Sequence, residues 1–167
     1  ITSSTSSDVI CNGDCNGSAS VNVSGGTVSS GYMYFWTNGE STPSVNGLCP
    51  GSYECMVSDD SECYDSITVV ISEPSALVFT IDAENVSCHG GNDGVINFMD
   101  GNGNSGAFGG TSFANNGYQY SIDEGGSYQS LSEFANITAG LYGLIVSDSL
   151  GCIASSSHDI FEPAPIS

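Results

Sequence analysis

The chain contains no lysine and no arginine, and this absence limits what the protein can bind. Its 167 residues carry 19 acidic side chains, so the formal net charge is −19 at pH 7. Because no basic side chain can neutralise a phosphate, nucleic-acid binding is excluded. Charge-driven binding to an anionic membrane is excluded for the same reason. Trypsin-like proteases find no cleavage site, and Lys–Asn isopeptide crosslinks are ruled out.

Long apolar runs and basic leader segments are also missing from the sequence. No stretch reaches the length of a transmembrane helix, and a signal peptide would require a basic n-region. We therefore expect no direct membrane insertion. We also expect this segment to be carried by, or cut from, a longer precursor.

Residues that favour helices are scarce, whereas the chain has 22 glycines and many Asn, Ser and Thr residues. This composition predicts an all-β protein rich in turns. Seven cysteines in short β modules indicate an oxidising compartment. The expected location is therefore extracellular or at the cell surface.

A series of landmarks occurs twice along the chain, which indicates a duplication. Gly51, Tyr53, Asp59, Cys63 and Pro74 recur 89 residues later, as Gly140, Tyr142, Asp148, Cys152 and Pro163. We predict two tandem modules, at 1–75 and 76–167. The offset is only 77 at the first turn, where Cys11 matches Cys88. The second module is therefore longer, and most of the extra residues lie in a Gly/Asn-rich loop at about 100–117, which we interpret as a solvated spacer or packing flap.

Alternating apolar residues predict the strands of each module. Ala19, Val21 and Val23 alternate with polar residues, as expected for a half-buried strand, and Tyr32, Tyr34 and Trp36 alternate along the next strand. Short strands separated by turn signals favour an immunoglobulin-like β-sandwich for each module. The spacings Gly51-x-Tyr53 and Gly140-x-Tyr142 look like a tyrosine corner, in which the Tyr hydroxyl bonds back to the preceding chain.

The cysteines predict three disulfides. Equivalent cysteines in equivalent modules should pair equivalently, which gives Cys11–Cys63 and Cys88–Cys152, each contributing about 4 kcal/mol on the chain-entropy model. Cys15 and Cys49 have no counterparts in the second module, so we predict that they pair with each other. Cys55 alternates with inward-facing residues and is predicted to be a buried free thiol.

No residue pattern predicts catalysis or a firmly held cofactor, so we expect no enzyme activity. His89 and His158 lie apart from any nucleophile or zinc-binding spacing. Calcium is the one plausible cofactor, because oxygen ligands on turns suit it. Weak candidate ligands are Asp59, Asp60, Glu62 and Asp93. Screening of the negative charge by salt is the simpler alternative, and it predicts that stability rises with ionic strength.

The order of landmarks in the first module closely resembles the SprB repeat, a family found in very large surface adhesins of gliding Bacteroidota. The residues that carry the resemblance are Val9-x-Cys11-Asn-Gly-x-Cys15-x-Gly-Ser-Ala19, Val23-Ser-Gly-Gly-Thr27, Tyr32-x-Tyr34-x-Trp36, Leu48-Cys-x-Gly-x-Tyr53, Val57-x-Asp59, Cys63 and Glu73-Pro74. The second module departs from this order in carrying Ile122 at the position of Trp36. The resemblance implies tandem Ig-like modules, export by the type IX pathway and an adhesive or filamentous role.

Several positions fit glycosylation patterns. Asn16, Asn22, Asn85 and Asn136 fit the N-linked sequon. Ser66 and Ser149, each after an aspartate, resemble the Bacteroidota O-glycosylation motif.

We therefore predict a structural and adhesive repeat unit of an extracellular adhesin or fibre, in which neighbouring copies build a stiff, disulfide-hardened filament. Joining the tail to the head recreates a segment much like the one between the modules, as expected for one period of a longer array. The alternative is a carbohydrate-binding module that contacts surface glycans through Tyr32, Tyr34 or the loop at 100–117.

Overall fold

The computed structural model describes residues 1–114 and 117–166, and these fold into two units. Unit 1 comprises Ile1–Pro74 and unit 2 comprises Ser75–Ser167, a division one residue before the expected boundary. The strands of both units pair antiparallel. Across residues 1–114 and 117–166 there is no helix long and apolar enough to span a membrane.

Unit 1 contains six strands in two three-stranded sheets. They are β1 (Ser3–Ser7), β2 (Gly17–Asn22), β3 (Met33–Trp36), β4 (Ser44–Leu48), β5 (Gly51–Ser58) and β6 (Tyr64–Ile71). One sheet has the order β1-β2-β4 and the other has the order β3-β5-β6. In immunoglobulin lettering these are the sheets A-B-E and C-F-G, so the strand order matches the predicted Ig-like sandwich.

The core of unit 1 lies between its two sheets, where inward-facing residues from both alternate with outward-facing ones. Trp36 on β3 is fully buried, and Cys55, Ile71 and Leu48 pack in the same cluster. The Trp36 indole N–H donates to the carbonyl of Thr42 at 2.9 Å, so its polar edge is satisfied inside the core.

Unit 2 repeats the same arrangement. Its strands are β7 (Thr80–Glu84), β8 (Gly94–Met99), β9 (Gln119–Ser121), β10 (Glu133–Ile137), β11 (Gly140–Ser147) and β12 (Ile153–Ile160). The sheet orders are β10-β8-β7 and β12-β11-β9. Each strand of unit 2 therefore has the same neighbours as its counterpart in unit 1.

Different aromatic residues fill the core of unit 2. Phe98 on β8 is fully buried, and its ring centroid lies 5.1 Å from those of Phe79 and Tyr120. Ile122, which takes the place of Trp36 in the sequence, is only partly buried against this cluster. Phe98 occupies the position that Val21 has in unit 1. The larger Phe98 side chain, on the sheet that contains β8, therefore fills the core volume that the Trp36 indole fills from β3 in unit 1.

The predicted tyrosine corner is present in both units. The Tyr53 hydroxyl donates to the carbonyl of Cys49 at 3.0 Å, and the Tyr142 hydroxyl donates to the carbonyl of Thr138 at 2.9 Å. Each bond spans the chain segment that crosses from β4 to β5, or from β10 to β11. The corner therefore fixes the point at which the chain changes sheets.

The extra loop of unit 2, at about 100–117, is partly packed. Val78 pairs with Phe108, and the carbonyl of Ser75 accepts the Gly110 N–H at 2.9 Å. This pairing lies just before β7, which begins at Thr80. Residues 115 and 116 of the predicted loop lie outside the described residues.

Candidate functional site

The polar residues that recur in both modules gather at the two ends of each sandwich. We call the end at which β6 or β12 begins the leading pole, and the end at which that strand stops the trailing pole. Cys63 and Cys152 directly precede β6 and β12, so they lie at leading poles. Glu73 and Glu162 follow those strands and lie at trailing poles.

At the leading pole of unit 1, the Asp59 carboxylate connects two loops. Its Oδ1 accepts the backbone N–H groups of Ser61 at 2.9 Å and Cys63 at 3.0 Å, and its Oδ2 accepts that of Thr27 at 2.8 Å. The side chain is buried, at 6% relative exposure. The hydrogen bonds from Thr27 and Cys63 are the main cause of a lowered pKa for Asp59. The carboxylate thus ties the β5–β6 turn to the β2–β3 connection.

Asp148 makes the same three contacts in unit 2. Its Oδ1 accepts the N–H groups of Leu150 at 2.9 Å and Cys152 at 2.8 Å, and its Oδ2 accepts that of Thr111 at 2.8 Å. It is 2% exposed. A buried carboxylate is stable only when such donors satisfy it. We name this arrangement the aspartate clasp, formed by Asp59 in unit 1 and by Asp148 in unit 2.

A glycine with positive φ is required beside each clasp. Gly26 has φ +74° and Gly110 has φ +59°. A Cβ atom at Gly26 would lie 2.5 Å from Asp59 Oδ2, and one at Gly110 would lie 2.6 Å from Asp148 Oδ2. The repeated Gly-Gly-Thr sequence therefore allows the backbone to approach the carboxylate.

The candidate calcium ligands are engaged in other contacts. The Asp60 carboxylate accepts the backbone N–H groups of Ser29 and Ser30 and the Ser30 hydroxyl, and the Ser30 hydroxyl is the first cause of its lowered pKa. Asp93 lies in unit 2, where its Oδ1 accepts the Ser87 N–H at 2.9 Å. Within the described residues no group of three or more His, Cys, Asp or Glu side chains is arranged to hold a metal ion. Asp59, Asp60 and Glu62 lie on one turn of unit 1, and Asp93 belongs to unit 2.

The trailing poles are closed by the glutamate of each Glu-Pro pair. Glu73 Oε2 accepts the Gly13 N–H at 2.8 Å, and Glu162 Oε2 accepts the Gly90 N–H at 2.8 Å. These contacts hold the turn that carries Cys11 or Cys88 against the end of the last strand. In unit 2, His89 Nδ1 also lies 3.1 Å from Glu162 Oε1.

One of the three predicted disulfides is present as predicted. Cys15 and Cys49 are bonded to each other at the trailing pole of unit 1. Cys55 is a buried free thiol on β5, as its alternation with Tyr53 and Val57 predicts, and burial raises its pKa.

The other two predicted disulfides, Cys11–Cys63 and Cys88–Cys152, are wrong. In the part of the chain that the structure describes, Cys63 and Cys88 are exposed free thiols. Cys11 and Cys152 are both disulfide-bonded, and neither bond is to the predicted partner.

The length of the last strand explains why these pairings fail. Cys63 precedes β6, whereas the turn containing Cys11 lies at its other end, where the Val9 N–H donates to the carbonyl of Ser72. At about 3.3 Å per residue, an eight-residue strand separates the two ends by more than 25 Å. A disulfide requires Cα atoms within about 7 Å. The same separation applies in unit 2, because β12 also has eight residues.

Tyr32 and Tyr34, the aromatic candidates for glycan binding, make contacts within unit 1. Tyr32 and Tyr34 are half-buried and pack against the core of unit 1. The Tyr32 hydroxyl donates to the carbonyl of Gly25 at 2.8 Å. His158 is half-buried on β12. The candidate glycosylation positions are all exposed: Asn16, Asn22, Ser66, Asn85, Asn136 and Ser149.

Comparison with known families and structures supports the repeat. Residues 3–41 match the model of the SprB repeat. The resemblance is thus confirmed for the first three strands of unit 1 and for the Gly-Gly-Thr sequence beside the aspartate clasp. A comparison with curated proteins finds no match.

Two solved structures are similar at low identity. The first, described as the structural basis for Dscam isoform specificity, has 14% identity and a TM-score of 0.33, covering 77% of this chain and 37% of its own. The second, an amphioxus IgVJ-C2 molecule, has 13% identity and a TM-score of 0.33, covering 94% of this chain and 95% of its own. Likenesses this distant carry no argument about function. The strand order described above is what identifies the Ig-like sandwich.

Sequence reasoning missed the role of the aspartates at the leading pole. Asp59 was considered as a metal ligand, although it recurs as Asp148 with the same following turn and the same upstream Gly-Gly-Thr. Because the aspartate and the Gly-Gly-Thr sequence recur together, the sequence did contain a sign that the two are in contact. These features together support a repeat domain of the structural, adhesin type.

Proposed function

We propose that the chain is a repeat unit of an extracellular cell-surface adhesin or fibre. The observation that carries the proposal is the recurrence of one Ig-like sandwich whose two poles are held by the same contacts each time. The aspartate clasp and the glutamate at the trailing pole both bond to backbone N–H groups. The recurring polar residues thus serve to fix the shape of each module, as a repeating structural array requires.

The chemistry of the chain supports a location outside the cell. Structural disulfides such as the one between Cys15 and Cys49 form and persist mainly in oxidising compartments. The resemblance to the SprB repeat adds the expectation of export by the type IX pathway of a Bacteroidota cell. With a net charge of −19, the surfaces of neighbouring units repel one another side by side, which favours single extended filaments over bundles.

The proposal is tested by labelling intact cells. Antibodies raised against the 167-residue chain should decorate filaments at the cell surface when viewed by electron microscopy. A matched control is the same serum after adsorption on the purified chain, which should leave the filaments unlabelled. Label confined to the cytoplasm, or to isolated soluble particles, would refute the proposal.

A carbohydrate-binding role would need a surface other than Tyr32, Tyr34 and the loop at 100–117. On the outer face of the β3-β5-β6 sheet, Phe35 is 60% exposed and Tyr64 is 77% exposed, and both line a shallow groove with Met56. Glycan-array binding that is lost in Tyr64→Ala but kept in Tyr32→Phe would support this second function.

A further inference from the structure

The groove on the outer face of the β3-β5-β6 sheet has an apolar middle and a charged end. Met56 on β5 forms its floor, and Phe35 stands directly opposite Met56 on β3. Tyr64 lies at one end of the groove, where it pairs with Ser58, and Glu54 lies at the other. Ser58 and Glu54 are four residues apart along β5, a distance of about 13 Å. The groove has a volume of about 230 Å³ and is open to solvent.

The equivalent face of unit 2 is covered by the chain that follows β9. Ile145, the counterpart of Met56, is only partly exposed, and a Cβ atom at Gly125 would lie 3.4 Å from its Cδ1 atom. The Glu124 N–H donates to the carbonyl of Gly143 at 3.0 Å, and a Cβ atom at Gly143 would overlap the Glu124 side chain. Unit 2 therefore closes this part of its own sheet.

The connection that covers the face in unit 2 is longer than its counterpart in unit 1. It runs through residues 122–132 between β9 and β10, whereas only residues 37–43 join β3 to β4. The shorter connection leaves the face of unit 1 open, and Met56 there is 43% exposed. Contiguous exposed apolar side chains of this kind mark a surface that contacts another molecule.

The open groove also carries a negative charge that no side chain of its own unit can neutralise. The chain has no lysine or arginine, and its two histidines, His89 and His158, both belong to unit 2. Glu54 is exposed, so its carboxylate faces solvent beside the apolar side chains of Phe35 and Met56. A carboxylate and the face of an aromatic ring both attract a cation.

We propose that this groove binds an arginine side chain of a partner protein. The methylene groups of the arginine lie over Met56 and Phe35, and its guanidinium donates two parallel hydrogen bonds to the Glu54 carboxylate. Tyr64, at the far end, packs against the partner's neighbouring residue. The inference goes beyond the proposed fibre and does not rest on it, because a single copy of unit 1 carries the whole groove.

Charge favours arginine over the other ligands that suit an aromatic groove. A net charge of −19 attracts a cationic partner, does nothing for a neutral glycan and repels an acidic one. A lysine ammonium is a strongly hydrated point charge, whereas the planar guanidinium stacks on a ring such as that of Phe35 and matches a carboxylate in two bonds. An arginine-bearing protein surface therefore fits the groove best.

NMR of the methionine methyl groups in the 167-residue chain tests the proposal. Of the three methionines, Met33 and Met56 lie on this face of unit 1 and Met99 lies in unit 2. The probes are the peptide Gly-Ser-Arg-Leu-Ser-Gly, blocked at both ends, and the same peptide with uncharged citrulline in place of arginine. The arginine peptide should shift the Met56 signal saturably, with a smaller shift at Met33 and none at Met99. The citrulline peptide should bind about two- to fivefold more weakly, as expected for the loss of one exposed ion pair.

Three variants separate the groove from the general charge of the chain. Glu54→Gln should weaken binding of the arginine peptide by about two- to fivefold and remove the preference over citrulline. Phe35→Ser, which introduces the residue that unit 2 carries there as Ser121, should weaken binding of both peptides. Glu84→Gln removes one exposed carboxylate from β7 and is the matched control, which should bind like wild type. Unchanged urea unfolding by Trp36 fluorescence verifies that unit 1 is folded in each variant.

Four outcomes would overturn the inference. The first is equal affinity for the arginine and citrulline peptides, because the cation would then play no part. The second is an unmoved Met56 signal at about 10 mM arginine peptide, tenfold above a Kd of about 1 mM. The third is equal weakening in Glu54→Gln and Glu84→Gln, which would leave only general charge attraction. The fourth is a Met56 shift with maltohexaose and none with the arginine peptide, which would assign the groove to glycans. Surface labelling of cells is unaffected by any of them, so this inference and the proposed function fail separately.

Discussion

Removal of the Cys15–Cys49 disulfide should destabilise unit 1 and leave unit 2 unchanged. The bond closes a loop with a sequence separation of 34 residues. On the chain-entropy model, a loop of this length restricts the unfolded chain enough to contribute about 4 kcal/mol to the free energy of unfolding. For a unit of this size, that is a large share of the total, since small domains are stable by only about 5–15 kcal/mol.

The variant for this test is the double substitution Cys15→Ser and Cys49→Ser, because a single substitution would leave a reactive thiol. Trp36 is the only tryptophan of the chain and is fully buried in unit 1, so its fluorescence reports the unfolding of that unit alone. With a urea m-value of about 1–2 kcal/mol/M, the midpoint of the fluorescence transition should fall by about 2–4 M.

Unit 2 provides an internal control, because it carries Asn92 and Thr138 at the positions of the two cysteines. Hydrogen exchange of its β11 and β12 amides should be unaffected by the double substitution. A loss of less than about 1 kcal/mol in unit 1 would refute the chain-entropy argument for this bond. An equal loss of protection in unit 2 would refute the assignment of the bond to one unit.

Four further predictions follow from individual contacts. Tyr53→Phe and Tyr142→Phe should each cost about 1 kcal/mol of unfolding free energy in their own unit, as the loss of one hydrogen bond does, measured by urea denaturation. Gly26→Ala should lower the melting temperature far more than Gly13→Ala, because both have positive φ but only the former meets a carboxylate; equal effects would rule out a steric role at the clasp. The hydrogen bonds from Ser121 and Ser127 lower the pKa of Asp123 to about 2. The stability that the Asp123 carboxylate contributes is therefore complete above its unfolded pKa of about 4 and is lost as the pH falls through about 2. The difference in unfolding free energy between wild type and Asp123→Asn should shrink over that range, and a constant difference would contradict this. The melting temperature should rise from low to high NaCl, since the net charge of −19 opposes compaction, and an unchanged value would argue against repulsion.

The repeated sequence pattern was sufficient to predict the sandwich and its corners. The offset of 89 residues that relates Tyr53 to Tyr142, and the neighbouring landmarks to their copies, located the equivalent turns. The alternation of side chains along the strands placed Trp36 and Cys55 on inward faces. These features depend on local periodicity and on chain order, both of which are visible in a sequence. The strand order A-B-E and C-F-G then follows from the known ways of packing six such strands.

The disulfides show where sequence equivalence stops being informative. Cys63 and Cys152 do occupy equivalent backbone positions, and each N–H donates to the aspartate of its own clasp, but Cys63 is an exposed free thiol whereas Cys152 is buried and disulfide-bonded. The error lay in assuming that equivalent positions in the repeat determine which cysteines pair. Only the direction of β6 and β12 reveals that the paired candidates lie at opposite poles, and that direction depends on three-dimensional pairing. The role of Asp59 was missed for a related reason, because its donor Thr27 lies 32 residues away in the chain.

The central claim, that these two sandwiches repeat head to tail in a fibre, is tested most directly by cryo-electron microscopy of the native material. The account predicts filaments with an axial repeat of two small β-sandwich domains, in which every second domain carries extra density from the loop at 100–117. Isolated two-domain particles, or filaments in which like poles face each other, would contradict it.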